Sequence, residues 1–556
     1  SKIILEIGCG NGELGKAYKE INPKVKYYGI EINSEAAAIA REKLDKVFQV
    51  NIDEEIELAE EINNVDCIIY GDILKNLKDP YSSIKKTLEL LNDRGILLAC
   101  FPNMQNWSII SYFLNGVQQK NDSVLSNNTY LKLFTKNSII ELIKRLGLSL
   151  CEIQPLIYEQ ANADLFFKKI EPILKNFNIE KNAFHQDISA LQFLVTAKKG
   201  SYTQKYIDIL IPSRLEKPMI EARIITPYNA LNTLSEIKVS LGYTLSLRRS
   251  NFNQNKIIIF YRSIHRDIKS DIIKLKTIIE NGYLIVLDFD DSPLEYKSIL
   301  ESDFFTFKAC HAIQTSSKKL ANLLKVYNSE VKVFENSIRS VSSKRIELNN
   351  ESKLKLFFGA FNRGNDWKPW IDTLNKVFME NPNRWKVEVV SDKDFFEEIQ
   401  LDSNKKNFTP TCSYQEYLKV MKDCDIAFMP LNDNEFNNCK SDLKAIEAGS
   451  YSLAILSTPI VYNQNFIDKK TATFFNSKQE LFNILKDWET NPYKVREIGE
   501  RAKEYVREER LAAYQINQMM NWYESIWNRK DELTRSMKKR VPILFEERIQ
   551  DNTYRT

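Results

Sequence analysis

Residues 2–12 read KIILEIGCGNG, a short apolar strand that runs directly into a glycine-rich turn. Gly8, Gly10 and Gly12 permit a tight turn and the close approach of a ligand, which a side chain would block. A second apolar stretch ends at Glu31, and an acidic residue about 20 positions after such a turn is typical of a ribose contact. A glycine pattern alone also occurs in ordinary strand-to-helix turns, so Glu31 is the residue that favours a bound nucleoside.

The composition of the chain narrows the class of protein. Its 556 residues are 43% hydrophobic and 27% charged, which predicts several globular domains with substantial cores. The net charge of +4, from 78 basic and 74 acidic residues, gives no support for a nucleic-acid partner. No stretch approaches the ~18 uninterrupted apolar residues of a membrane span, so no transmembrane segment is expected.

The cysteines and the start of the chain bear on location. Eight cysteines without a C-x-x-C pair fit a reducing compartment. We therefore expect a cytoplasmic protein, with the inner face of the membrane as an alternative location. The chain begins with Ser1 rather than Met, directly at a strand, so we interpret it as an N-terminally truncated piece of a longer protein.

Strand and helix patterns alternate along most of the chain. Over residues 1–200 this alternation predicts a mostly parallel, doubly wound sheet. Its ligand crevice is expected at the carboxyl ends of the strands, where four acidic residues lie. These are Glu6, Glu31, Asp53 and Asp72.

After a linker at residues 198–201, the alternation resumes in two further sets of strands. A polar stretch at 340–352 separates the two sets, which predicts a two-lobed enzyme with a ligand cleft between the lobes. The predicted domains are residues 1–200, 205–338 and 339–530, followed by a charged, loosely held tail over 531–556. The fold class is α/β, with three doubly wound domains.

Four motifs occur in order within residues 3–150: LEIGCGNGELG, GIEIN, DCIIYGDILKNLKDPYSSIKKTLELLNDRGILLACFPN and LKLFTKNSIIELIKRLGL. With them the segment resembles the class I S-adenosylmethionine-dependent methyltransferases, a Rossmann-like family often attached to bacterial sugar-modifying enzymes. The resemblance implies that the segment from Glu6 to Gly12 holds the methionine part of the cofactor. It also implies that Glu31 binds the ribose, Asp53 lies near the adenine and Asp72 faces the methyl-transfer pocket.

The segment departs from this family at the positions where a proton acceptor is expected. Lys75 and Asn76 stand where similar enzymes carry an acidic residue and a histidine, and residues 127–130 also lack the usual histidine. A histidine is the usual base for a hydroxyl nucleophile. Two interpretations remain: methylation that uses Asp72 or proximity alone, or a degenerate module that binds the cofactor weakly or not at all. The departures favour the second.

The rear half carries a second group of motifs: FFGAFNRGNDW (357–367), NFTPTCSYQEYL (407–418), CDIAFMPLNDNEFNNCKSDLKAIEAG (424–449) and STPIVY (457–462). On these, residues 205–530 resemble a GT-B glycosyltransferase, and the second lobe is similar to the group-4 bacterial surface-glycan enzymes. A diphosphate donor requires cations and backbone N–H groups, which an arginine fork and a helix N-terminus supply. The expected donor-binding residues are Gly359, Asn362, Arg363, Lys440, Ser441, Asp442, Lys444 and Glu447.

Individual roles follow from residue type and from the resemblance. Arg363 suits a pair of phosphate oxygens, and Ser441 or Asp442 can cap the helix that follows. The resemblance places Glu447 at the nucleotide ribose. The family often has a second glutamate eight residues earlier, where this chain has Cys439, so a carboxylate contact to the donor sugar is not expected from that position. The alternative for Glu447 is a solvated helix face.

The segment LDFDD at 287–291 contains a D-x-D pattern that binds a metal in other glycosyltransferases. In a two-lobed enzyme, cations and a helix dipole take over the diphosphate charge, so we expect no metal. Asp290 or Asp291 is the expected acceptor contact or proton acceptor, with a turn cap as the alternative. Arg262 and His265, at another strand end, are predicted on the acceptor side.

Together these features predict a bacterial glycosyltransferase that moves a sugar from a nucleotide sugar to a surface-glycan, lipid-linked glycan or flagellin-like protein acceptor. The fused domain then methylates the glycan with S-adenosylmethionine, or serves as a noncatalytic binding or spacer module. A nonenzymatic nucleotide-sensing scaffold is a third hypothesis. The sugar, nucleobase, acceptor, linkage, anomeric outcome and oligomeric state stay open.

Overall fold

A computed structural model describes residues 2–54, 62–116, 134–177, 179–200, 205–212, 220–234, 236–247, 255–264, 267–342, 353–359 and 364–546. The chain divides into two compact units, Ser1–Gln204 and Lys205–Thr556. The predicted α/β class, with three Rossmann-like sheets, is confirmed. Among the described residues, no helix combines the length and the apolar character needed to cross a bilayer.

The first unit is built on one sheet with the strand order β3-β2-β1-β4-β5-β7-β6. The strands are β1 (Ile3–Ile7), β2 (Lys26–Ile30), β3 (Lys46–Phe48), β4 (Val65–Tyr70), β5 (Leu91–Pro102), β6 (Leu148–Leu156) and β7 (Gln192–Lys199). Neighbouring strands are parallel except for β7, which pairs antiparallel with both β5 and β6. Helices span Glu13–Ile21, Ser34–Arg41, Pro80–Leu88, Trp107–Leu114, Lys136–Arg145, Gln160–Leu174 and Lys181–Ser189.

A glycine-rich turn follows β1, and its three glycines adopt positive φ values, which other residues rarely do. Gly8, Gly10 and Gly12 have φ values of 73°, 52° and 74°. A Cβ on Gly8 would lie 3.0 Å from Ile73, whereas nothing lies within 4 Å of one on Gly10. The turn is therefore packed at Gly8 and open at Gly10, and the helix Glu13–Ile21 starts directly after it.

The second unit contains two sheets in which every described strand pair is parallel. The first has the order β13-β12-β11-β10-β8-β9, and the second β16-β15-β14-β17-β18-β19. Their strands are β8 (Lys205–Leu210), β9 (Ile237–Gly242), β10 (Asn255–Tyr261), β11 (Leu284–Asp288), β12 (Ala312–Thr315), β13 (Val331–Val333), β14 (Leu354–Gly359), β15 (Trp385–Val390), β16 (Lys406–Thr409), β17 (Ile426–Phe428), β18 (Ala454–Ser457) and β19 (Thr473–Phe474). We call the halves built on these sheets the first lobe and the second lobe.

Helices cover both sheets and join the lobes. They span Thr226–Leu231, Ile268–Glu280, Lys297–Glu301, Phe305–Lys308, Lys318–Leu324, Ile371–Glu380, Lys393–Glu398, Tyr414–Lys422, Glu435–Asn438, Leu443–Ser450, Lys478–Thr490, Pro492–Glu509, Ala512–Asn528 and Lys530–Arg540. A π-helical turn, Glu221–Ile225, precedes the first of them. Several begin at a serine or aspartate whose side chain accepts a first-turn N–H, as Asp267, Ser413 and Ser477 do.

The last helices return to the first lobe. Trp522 and Tyr523 are buried in its core beside Ile207 and Val286. Leu533, on the helix Lys530–Arg540, joins the same core. These aromatic side chains therefore pack in the core, and residues 530–540 are helical, while the loosely held tail proposed over 531–556 stays a prediction. The lobe boundaries proposed from the sequence stay predictions.

Candidate functional site

A cavity of 230 Å³ lies between the two lobes of the second unit. On its first-lobe wall, Arg262, Asp290 and Asp291 follow the carboxyl ends of β10 and β11, where a parallel sheet presents ligands. The helix Leu443–Ser450 and the loop before it form much of the opposite wall. The lining residues are Arg223, Arg262, Asp290, Asp291, Asn336, Val390, Ser391, Cys412, Tyr414, Tyr417, Phe436, Lys440, Ser441, Leu443, Lys444, Glu447 and Tyr462.

Two lysines give the second-lobe wall its positive charge. Lys440 Nζ lies 4.0 Å from an oxygen of Asp366 and 4.5 Å above the ring of Phe436. Lys444 Nζ lies 4.0 Å above the ring of Tyr417. Burial opposes the charge on Lys444, but the carboxylate of Glu447 more than compensates and raises the lysine pKa above its ordinary value. Lys444 is therefore cationic at neutral pH.

Glu447 is a buried carboxylate held at the cavity from two sides. Its Oε1 accepts a hydrogen bond from the Tyr414 hydroxyl at 2.8 Å, and its Oε2 lies 3.2 Å from Lys444 Nζ. Burial and the charge of Glu447 raise the pKa of Tyr414, so that hydroxyl stays protonated and keeps donating. Only 1% of Glu447 is exposed, so it is not the solvated helix face considered above.

Arg262 organises the acidic residues of the first-lobe wall. Its backbone φ is 44°, and its Nε donates to Asp290 Oδ1 while Nη1 lies 3.7 Å from Asp291. Burial alone would raise the pKa of Asp290, but Arg262 lowers it below its ordinary value. Asp291 accepts hydrogen bonds from the Tyr296 hydroxyl and the Ser292 amide, both at 2.9 Å. Since the Asp291 side chain is 24% exposed and that of Asp290 only 9%, Asp291 is the more accessible base.

A second arginine, Arg223, also lines the cavity. Arg223 lies on the π-helical turn and is 95% buried, with 5% exposed. Its Nε donates to Asp288 at 2.9 Å, and its Nη1 donates to the carbonyl oxygen of Phe334. Burial raises the pKa of Asp288, which Gln314 also contacts through its amide.

The structure corrects the prediction for Asp442. It stands at the N-cap of the helix Leu443–Ser450, but neither its side chain nor any other described side chain caps that helix. Instead, its carboxylate binds the guanidinium of Arg510, with Nη2 to Oδ1 at 2.8 Å, and the amide of Asn465 at 2.7 Å. Asp442 is not among the residues that line the cavity, and its charge is paired with that of Arg510. Ser441 does line it, and its Oγ accepts from Asn336 rather than capping the helix.

In the first unit, the residues expected around the cofactor lie at the carboxyl ends of β1, β2 and β4. Glu31 accepts hydrogen bonds from the backbone N–H groups of Gly10 and Asn33, both at 2.9 Å. Glu6 is 6% exposed, and its carboxyl group accepts from the Tyr27 hydroxyl at 2.9 Å. Burial raises the pKa of Glu6 to about 7.

Asp53 and Asp72 also have partners. Asp53 accepts from the Lys78 backbone N–H at 3.1 Å. Asp72 is ion-paired with Lys75 and accepts from the Gln192 amide at 2.9 Å, while 58% of its side chain is exposed. The carboxylate of Asp72, to which one interpretation of the sequence assigns methyl transfer, is thus paired with Lys75.

Family models match a part of each unit. Residues 5–97 match the family model described as a methyltransferase domain, and residues 370–521 match the one described as glycosyl transferase-like. The chain joins a methyltransferase domain to a glycosyltransferase-like domain. No curated protein matches the sequence.

Solved structures match parts of the chain at low identity. TarM is 11% identical with a TM-score of 0.38, covering 50% of this chain and 56% of its own. Anabaena HepE, in complex with UDP and glucose, is 13% identical with a TM-score of 0.41, covering 58% of this chain and 100% of its own. A methyltransferase from Archaeoglobus fulgidus is 16% identical with a TM-score of 0.26, and the match covers 36% of this chain and 86% of the methyltransferase. The chain thus spans about half the length of TarM. The family models, not these folds, carry the assignment.

The structure gathers many of the predicted glycosyltransferase residues around one cavity: Arg262, Asp290, Asp291, Lys440, Ser441, Lys444 and Glu447. Gly359 does not line it; a Cβ there would lie 2.6 Å from the ring of Tyr417, so this glycine makes room for the cavity wall. His265, Asn362 and Arg363 lie outside the described residues. Metal-binding clusters of three or more His, Cys, Asp or Glu do not occur within the described ranges.

Sequence reasoning missed several cavity residues. Arg223, Asn336, Tyr414 and Tyr417 were not singled out, although the last two lie within a quoted motif. Because Tyr414 and Tyr417 lie in that motif, their position in it was an available signal. Arg223 and Asn336 lie in no motif, and only packing brings them to the cavity.

Proposed function

We propose that the glycosyltransferase-like domain transfers a sugar from a nucleotide sugar, bound in the interlobe cavity, to a glycan or protein acceptor. The observation that carries this proposal is the convergence of Lys440, Lys444 and the tyrosine-held Glu447 on one cavity. Cations suit a diphosphate, and a buried carboxylate with an adjacent donor suits vicinal ribose hydroxyls.

The two walls divide the reaction between them. As the bond between the anomeric carbon and the diphosphate breaks, negative charge develops on the leaving oxygen. Lys440, Lys444 and the start of the helix Leu443–Ser450 stabilise that charge. The acceptor hydroxyl attacks from the first-lobe side and transfers its proton to Asp291. Arg262 keeps Asp290 ionised beside it and orients the acidic pair.

The acceptor class is the finer part of the proposal. We propose a bacterial surface glycan, a lipid-linked glycan or a flagellin-like protein, acted on in the cytoplasm or at the inner face of the membrane. When the two lobes close around the bound donor, they exclude water and limit hydrolysis of the sugar nucleotide. The dominant support for this class is the domain pairing itself, since a methyltransferase domain beside a glycosyltransferase suits decoration of one glycan.

For the methyltransferase domain, we propose binding of S-adenosylmethionine at the turn Gly8–Gly12 and methylation of the same glycan. A noncatalytic binding or spacer role is the second candidate. The ion pair between Asp72 and Lys75 favours it, because a paired and exposed carboxylate is a poor general base.

A binding screen with a matched pair of variants tests the donor proposal. Uridine, guanosine, cytidine and thymidine diphosphates are titrated onto the wild-type protein by calorimetry. Lys444→Met should weaken binding of the preferred diphosphate about tenfold or more, since a charged hydrogen bond is lost. Lys419→Met removes a lysine that is 75% exposed on a neighbouring helix and should change nothing. Equal affinities in all three proteins would contradict the assigned diphosphate site.

The methyltransferase half is tested separately with S-adenosylmethionine. Heat of binding at micromolar to millimolar cofactor supports the proposal, and methyl transfer to the glycosylated product extends it. Absence of heat at millimolar cofactor would leave only the spacer role.

A further inference from the structure

Two of the residues that line the cavity each carry a buried polar atom that lacks a hydrogen-bond partner within the described part of the chain. These atoms are Nη2 of Arg223 and Oδ1 of Asn336. Both residues line the cavity, and their exposed fractions are 5% and 3%. A buried polar group left unpaired costs about 1–3 kcal/mol. A pair of such atoms on residues that line a cavity therefore points to a ligand that completes them.

The orientation of Arg223 is fixed by its other nitrogens. Asp288 accepts from its Nε, and the carbonyl oxygen of Phe334 accepts from its Nη1. The side chain arises from the π-helical turn Glu221–Ile225, a local structure that is frequent at functional sites. Since two corners of the planar guanidinium are held, the direction of the third is set by the fold.

Asn336 is fixed in the same way from the opposite side. Its Nδ2 donates to Ser441 Oγ at 2.8 Å. Its Oδ1 is left to accept a hydrogen bond from a ligand. The two residues thus present one donor, Nη2 of Arg223, and one acceptor, Oδ1 of Asn336.

This pairing discriminates between ligand groups. A phosphate oxygen can accept from Arg223 but carries no proton for Asn336 at neutral pH. Hydroxyl groups both accept and donate, so the hydroxyls of one sugar ring satisfy the two atoms together. We infer that Arg223 and Asn336 form a subsite that reads the hydroxyls of a sugar ring in the cleft.

This inference rests on the proposed function and gives it a specificity determinant. A site built to hydrogen-bond a hydroxyl rejects an analogue that lacks it, because the buried polar groups are then unpaired. The ring can belong to the donor or to the acceptor glycan, since both carry the same chemistry. The arms of the experiment below separate these two sources.

The test uses the full chain and two variants that disturb the subsite differently. Arg223→Lys keeps a cation beside Asp288 but loses the planar third donor. Asn336→Ala removes the acceptor. Ser337→Ala is the matched control, because it removes an equally buried and unpaired hydroxyl on the adjacent residue, which does not line the cavity. Thermal unfolding of each variant confirms that it is folded.

Three probes are titrated by calorimetry: the nucleoside diphosphate that binds best, the same diphosphate linked to a panel of hexoses, and methyl hexosides added to the diphosphate-bound protein. Both subsite variants should bind the nucleoside diphosphate as the wild type does. Both should bind a sugar-bearing probe about tenfold more weakly. Ser337→Ala should match the wild type throughout.

The pattern of losses separates the possibilities. A loss confined to the nucleotide hexose supports a donor-sugar subsite, and a loss confined to the methyl hexoside supports an acceptor-sugar subsite. If the Arg223→Lys protein loses as much affinity for the nucleoside diphosphate alone as for the sugar-bearing probes, Arg223 is a phosphate contact. That result would overturn the inference but leave the proposed function standing. Unchanged affinities for every probe would overturn the inference too. No binding of any diphosphate to the wild type would overturn both.

Discussion

Replacing Arg510 by methionine should destabilise the second unit more than any surface charge removal. Arg510 and Asp442 are each 3% exposed, and the guanidinium contacts both carboxylate oxygens as well as the Asn336 carbonyl oxygen. Without it, Asp442 stays buried with only the Asn465 amide among its described partners. Breaking a buried ion pair from one side costs about 3–5 kcal/mol.

Urea unfolding followed by tryptophan fluorescence measures this loss, because six of the seven tryptophans lie in residues 205–556. Arg507→Met is the control: Arg507 is 45% exposed and pairs with Glu504 on the helix that Arg510 follows, so its removal should cost no more than about 1 kcal/mol. Adding Asp442→Asn to Arg510→Met should recover at least half of the loss, since no unpaired charge then remains. Equal effects of the two arginine variants, or no recovery in the double variant, would refute this reasoning.

Three further outcomes are expected. Burial raises the pKa of Asp425 to about 6 in the folded protein, above an unfolded value of about 3.9. The stability that the protonated Asp425 contributes below pH ~4 is therefore lost as the pH rises through 6. Asp425→Asn should remove this pH dependence and add up to about 3 kcal/mol to the free energy of unfolding at pH 8. A urea midpoint of the wild type that does not change with pH across this range would contradict the prediction. Gly8→Ala places a Cβ against Ile73 and should destabilise the first unit by more than the roughly 1–2 kcal/mol expected of Gly10→Ala. Circular dichroism measures both losses, and the reverse order would contradict the packing described for this turn. Glu447→Gln should weaken nucleoside diphosphate binding about tenfold in calorimetry, and an unaltered affinity would remove Glu447 from the ribose site.

The elements that sequence predicted well are those whose pattern is local. The near-continuous apolar runs of β10 and β11 are typical of parallel strands buried on both faces, so the sequence alone indicates both strands. Strand β9 was missed because it lies at the sheet edge and reads IKVSLG, with its polar residues partly exposed. Strand β16, KNFT, is a shorter edge strand with little apolar character.

Site residues divide in the same way. Lys440 and Glu447 belong to a motif on a single loop and helix, so residue type and spacing indicated them. Asp442 belongs to the same motif, but its partner Arg510 lies 68 positions away, and no local pattern reveals that pairing. Arg223 reaches the cavity because β11 supplies the buried Asp288 that holds it, which is a property of the assembled lobe.

The most direct measurement is a crystal structure of this protein with its preferred nucleoside diphosphate bound. The account predicts the diphosphate between the lobes, with its oxygens within hydrogen-bond distance of Lys440 or Lys444 and of the first N–H groups of the helix Leu443–Ser450, and the ribose at Glu447. A ligand bound outside this cavity, or inside it with its phosphates turned away from both lysines and that helix, would contradict the account.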